Sequence, residues 1–143
     1  MFRRKRVKPI DLKSLDQLKD LLAEGKPVLL DFMQVGCRAC KIMDGIINEL
    51  AEECGPSAHV VKVDLGRVPG AAASFQVKGT PTFILFGRPT LPAAKKKAKR
   101  SPTPAPERER QAPVVKWRAT GLVRKDQMTR ALEAAGAVPA AGD

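Results

Sequence analysis

Cys37 and Cys40 are the residues of this chain best placed to do chemistry, and only Arg38 and Ala39 separate them. Before the pair runs Val28-Leu29-Leu30-Asp31-Phe32-Met33, an apolar stretch of strand character. After it, Ile42, Met43, Ile46, Ile47, Leu50 and Ala51 recur every three to four residues, as one face of an amphipathic helix requires. Cys37 therefore falls at or just before a helix start, where unpaired N–H groups and a partial positive charge stabilise an anion. The thiolate is the reactive form of cysteine, so a pair at this junction points to redox chemistry. Cys37, nearer the terminus and more exposed, is the candidate nucleophile, and Cys40 the resolving thiol buried a turn later. Arg38 and Lys41 add positive charge that favours the thiolate, although Arg38 reads equally well as a solvated surface residue.

A metal site is the competing reading, because Cys37, Cys40, Cys54 and His59 are spaced by two, thirteen and four residues, close to a zinc finger. If Cys40 to Cys54 is helical, their backbones lie roughly 21 Å apart. Zinc ligands must all come within about 2.3 Å of one ion. No metal is expected, and Cys54 reads as a helix-end packing residue.

The elements that must position the pair follow from periodicity. Ser14 with Gln17 three residues on is a capping box for a first helix striped by Leu15, Leu18, Leu21 and Leu22 and ended by Gly25. Val28 to Met33 is too apolar on both faces for a surface strand, which places it at the centre of a covered sheet. Gly55-Pro56-Ser57 is a turn, His59 to Val63 a second buried strand, and Gly70 to Phe75 a short Ala-rich helix. Gly79 to Phe86 reads as a strand opening at Pro81, Val114 to Ala119 as the final strand, and Lys125 to Ala135 as a last helix with Met128, Leu132 and Ala135 inward. Val7 to Ile10 is a candidate edge strand. Short crossovers make the first strands parallel, and the last two are free to be antiparallel neighbours.

The chain has 143 residues, the size of one ordinary domain. Its net charge of +11 is unevenly placed: residues 2–8 carry five basic and no acidic residues, residues 88–113 eight basic and two acidic, and the remainder balances. Residues 1–9 are thus expected to be a basic flexible tail. The stretch 88–113 contains Lys95-Lys96-Lys97-Ala98-Lys99-Arg100 and six prolines, a composition too poor in apolar surface to offset ordering entropy. It could bind nucleic acid or an acidic protein through phosphate or carboxylate contacts, although no aromatic residues interleave with it. No apolar run reaches the length of a secretion signal or membrane span, and three cysteines do not make a secreted disulfide framework. The expectation is a cytoplasmic, monomeric protein without membrane contact.

Several separated residues give the chain its resemblance to the thioredoxin family. Asp31 lies six residues before Cys37, where the family keeps a buried carboxylate, and Lys62 stands where the family's lysine partners it. Gly79-Thr80-Pro81-Thr82 resembles the family's cis-proline turn, and Gly121 the glycine of the strand that follows. The likeness spans roughly residues 14–136 without the insertion. Three departures stand out: Gly36 replaces the tryptophan before the first cysteine, Arg38-Ala39 replaces Gly-Pro, and Gly45 replaces a helix-kinking proline.

The resemblance implies an α/β fold, a three-layer α/β/α sandwich on a central mixed sheet, formed by residues 10–143 as one domain with 88–113 a disordered insertion between the last two strands. It also implies a thiol–disulfide oxidoreductase that exchanges disulfides with protein substrates and with an upstream reductant or oxidant, needing no cofactor beyond the Cys37–Cys40 disulfide. Asp31, with a raised pKa, would accept the Cys40 proton and Lys62 would tune it; a purely structural Asp31–Lys62 pair is the alternative. Thr80 and Pro81, with Gly36 and Arg38, would meet the substrate peptide by strand addition. A binding module that uses the insertion while the cysteines stay idle is the second functional reading.

Overall fold

A computed structural model of the chain describes residues 7–89 and 112–138. In chain order the elements are β1 (Ile10–Asp11), α1 (Leu15–Ala23), β2 (Val28–Met33), α2 (Arg38–Cys54), β3 (His59–Asp64), α3 (Ala71–Ser74), β4 (Thr82–Gly87), β5 (Val114–Thr120) and α4 (Lys125–Ala134). The strands make one mixed sheet in the order β1-β3-β2-β4-β5. β1 and β2 flank β3 in parallel, while β4 runs antiparallel to β2 and β5 antiparallel to β4.

The central position of β2 explains its composition, since Val28, Leu29, Leu30, Asp31 and Phe32 are all buried and alternate between two cores. Leu29 joins Met43, Ile47, Leu50, Val60, Phe83, Met128 and Leu132 beneath α2 and α4. Val28, Leu30 and Phe32 join Leu18, Val61, Val63, Val68 and Ile84 on the other face. The sheet is therefore covered on both sides, as a three-layer sandwich requires.

The boundaries differ from the sequence reading at several ends. The edge strand is Ile10–Asp11 rather than Val7 to Ile10, because Ile10 and Asp11 are the residues in register with Val61 and Lys62. β4 starts at Thr82 and leaves Gly79 to Pro81 in a turn that Thr82 Oγ1 closes by donating to Gly79 O at 2.6 Å. The capping box also closes differently: Ser14 Oγ accepts from Gln17 N, while the Gln17 side chain accepts from Lys13 N. Ile42, assigned to the inner face of the cysteine helix, is 57% exposed. The buried stripe is Cys40, Met43, Ile47, Leu50, Ala51 and Cys54, and Ile42 lies about 100° around the helix from Met43. The expected basic tail and the insertion lie outside the described residues, apart from residues 7–9 and the stubs 88–89 and 112–113.

Candidate active site

Cys37 is the N-cap of α2, and its sulfur accepts a hydrogen bond from Cys40 N at 3.1 Å. The two cysteines are joined as a disulfide, with Cα atoms 5.2 Å apart. The first turn of a 17-residue helix thus directs the Cys40 N–H, and the positive pole of the helix, toward the Cys37 sulfur. Once the bond is reduced, the same N–H favours the Cys37 thiolate. Cys37 is half-buried, Cys40 is buried, and Arg38 is exposed. Gly36 precedes the pair with φ +87°, and nothing lies within 4 Å of where a Cβ would stand. The backbone conformation, not crowding, suits this position to glycine.

Beneath the first turns of α2 lie the titratable groups. Asp31 is 1% exposed. Burial, the largest cause, and then the Asp44 charge push its carboxyl up from 3.8 to about 7 against the opposing pull of Lys62. Asp31 and Lys62 are register partners across β2 and β3. The lysine's ion pair nevertheless goes to Asp44 of α2, with Nζ 3.0 Å from Oδ1, so the expected Asp31–Lys62 partnership is not the contact made. Charge holds that pair together without hydrogen-bond geometry, since Asp44 Oδ1, like Asp31 Oδ1, is buried and lacks a hydrogen bond.

The third part of the site is the turn before β4. The Thr80–Pro81 peptide bond is cis. Pro81 O accepts from Gly121 N at 2.8 Å, and Thr80 Oγ1 donates over 3.4 Å to Gln34 Oε1, which ties this turn to the segment entering the cysteine pair. Exposed apolar side chains flank these pieces along the chain: Val35 ahead of Gly36, Ile42 after Cys40, and Leu122 after Gly121, the three being 87%, 57% and 63% exposed.

Cys54 and His59 do not join the site. Cys54 is the last residue of α2 and fully buried, and His59 Nε2 sits 3.0 Å from Glu24 Oε1. Among the described residues no group of three or more His, Cys, Asp or Glu side chains is placed to hold a metal ion. Sequence reasoning missed Asp44, Gln34 and the exposed apolar residues. The spacing of Asp44, four residues after Cys40, could have revealed it, because i and i+4 share a helix face. Gln34 and Leu122 carry no comparable signal.

The sequence profile of the Thioredoxin family matches residues 10–103. Thioredoxin Y1, chloroplastic, of Arabidopsis thaliana is 37% identical over 75 residues, which are 52% of this chain and 44% of that protein. A bifunctional thioredoxin reductase/thioredoxin of Mycobacterium leprae is 37% identical over 77 residues, 54% of this chain and 17% of that one. The chain spans about half the length of the curated thioredoxins it matches first. In fold it superposes on the thioredoxin of Malassezia sympodialis with a TM-score of 0.68 at 18% identity, over 94% of this chain and 96% of that one.

Proposed function

The chain belongs to the thioredoxin family, and from that premise we propose that it exchanges disulfides with protein substrates through Cys37 and Cys40. The observation that carries this reading is the Cys37 sulfur, joined to Cys40 and accepting the Cys40 N–H at the open end of α2. In the reduced protein the Cys37 thiolate attacks a substrate disulfide, a mixed disulfide forms, and one substrate thiolate leaves. Asp31 takes the Cys40 proton, for which a carboxyl titrating at about 7 is well matched near neutral pH. Cys40 then attacks the Cys37 sulfur, releases the second substrate thiolate and regenerates the Cys37–Cys40 disulfide. Both electrons come from the sulfur pair, so the exchange needs no cofactor.

We place the substrate peptide along Thr80 and Pro81, with Gly36 leaving the approach to Cys37 open and Arg38 at its rim. One chain carries both sulfurs, so a monomer suffices. A reductase of the kind named in the Mycobacterium leprae relative is the partner we assign for re-reduction. The pair must be re-reduced between turnovers, which suits a reducing compartment such as the cytoplasm. A binding role for the basic residues 88–113 rests on a segment outside the described residues, and no feature of the site favours it over exchange.

Disulfide reduction in the presence of dithiothreitol tests the proposal. The wild-type chain should accelerate reduction of a disulfide-bonded test protein well beyond dithiothreitol alone, and Cys37→Ser should not. Equal rates with and without the wild-type chain would defeat it.

A further inference from the structure

Two carboxyls compete for one ammonium under the cysteine pair, and the outcome bears on the exchange proposed above, on which this inference rests. β2 and β3 bring Asp31 and Lys62 into register. Strand alternation turns both toward α2: Leu29 and Val60, two positions earlier, belong to the core beneath that helix, while Leu30 and Val61 belong to the opposite core. The helix answers with Cys40 and Asp44, one turn apart. The charged groups acting on Asp31 are then Lys62 from β3 and Asp44 from α2, with the buried Cys40 one turn before Asp44 on the same helix; its partner in β4, Phe83, carries no charge.

Lys62 Nζ lies 3.0 Å from Asp44 Oδ1, and among the described residues no ion pair joins Lys62 to Asp31. Asp31 Oδ1 is left buried and unpartnered. We propose that Asp44 is a positioning residue for the proton transfer that frees Cys40: by holding the Lys62 ammonium on the helix side, it leaves Asp31 free to take the Cys40 proton. In that step the S–H proton passes to the Asp31 carboxylate and the Cys40 thiolate attacks the Cys37 sulfur of the mixed disulfide. The Cys37–Cys40 bond forms, and the substrate sulfur leaves with the electron pair of the bond that breaks. The electrostatics agree, because the Asp44 charge raises the Asp31 carboxyl and Lys62 lowers it. Without Asp44 the repulsion is lost and the freed ammonium can swing to Asp31, and both changes make Asp31 a weaker base.

Two readouts on Asp44→Asn test this. The first is the carbon-13 titration of the Asp31 carboxyl in the oxidised protein, where neither Cys37 nor Cys40 titrates. The second is the pH profile for release of thionitrobenzoate from its mixed disulfide with Cys37, which follows attack by Cys40. In Asp44→Asn the titration midpoint should fall by about one pH unit, and the release profile should shift with it. Lys62→Met should move both upward, and the double variant should return toward wild type. A merely structural ion pair predicts slower release or lower stability with an unmoved midpoint, and that result overturns the inference while leaving the exchange reading intact. A midpoint that falls while the release profile stays in place overturns it as well, since Asp31 would then not be the proton acceptor. Failure of the wild-type chain to release thionitrobenzoate is the distinct sign that the exchange reading itself is wrong, and the inference falls with it.

Discussion

The two ends of α2 carry the same functional group in opposite conditions. At the N-terminal end Cys37 is half-buried, accepts a backbone N–H and sits at the positive pole of the helix. At the other end Cys54 is fully buried at the negative pole. Burial, the largest cause, and then the charges of Glu53 and Glu133 push its thiol up to about 11. A cysteine count would treat the two alike. Reactivity is decided by which end of the helix holds the sulfur, because the terminus supplies the hydrogen bonds and the exposure that a thiolate needs.

Alkylation of the reduced protein should show this contrast at its largest. At pH 7 the thiolate fraction of a group titrating at about 11 is on the order of one in ten thousand. A brief pulse should therefore label Cys37 at least about a thousandfold faster than Cys54, as peptide mass mapping would read. Comparable labelling of the two would erase the distinction.

Asp31 extends the comparison from thiols to a carboxyl, because this buried acid titrates within reach of physiological pH. Its folded pKa, about 7, lies above the ordinary aspartate value of 3.8. Between these values the folded state holds a proton that the unfolded state has lost, so stability falls as pH rises through that window. The full difference corresponds to about 4 kcal/mol above pH 7. Urea unfolding at pH 4 and pH 8 should show this loss in wild type and little of it in Asp31→Asn. Parallel pH profiles for the two would contradict the burial argument.

Smaller effects test each end separately. Cys54→Ser places a hydroxyl in an apolar core and should cost about 1–3 kcal/mol in urea unfolding, with the rate of disulfide exchange unchanged. At the exposed end, Arg38→Glu should slow alkylation of Cys37 at pH 7 by about two- to threefold, because a charge in solvent is strongly screened. A larger change would mean that Arg38 does more than bias the local potential.

Much of this architecture was legible in the sequence because period and punctuation agreed. The apolar run at β2, the stripe of α2 and the Ser14 cap all name their elements from local residues. Element ends were less legible: Pro81 stays outside β4, since closing the turn falls to the Thr82 hydroxyl, a contact no propensity encodes. Within the candidate site, local signals pointed to Cys37 and Cys40, and the resemblance pointed to Asp31, Lys62 and the Thr80–Pro81 turn. The partner of Lys62 was not legible, because register across two strands sets it beside Asp31 while a third element, α2, supplies the carboxylate that takes it. Ile42 shows the same limit, as a helix period fixes a stripe but leaves its edge to packing.

Trapping distinguishes the attacking sulfur, Cys37, from the resolving one, Cys40. Reduced Cys40→Ser protein is mixed with a disulfide-bonded test protein and the products are mapped by mass. A covalent adduct at Cys37 should form and persist until dithiothreitol is added, and Cys37→Ser should give none. An adduct on Cys54, or none with Cys40→Ser, would contradict this assignment.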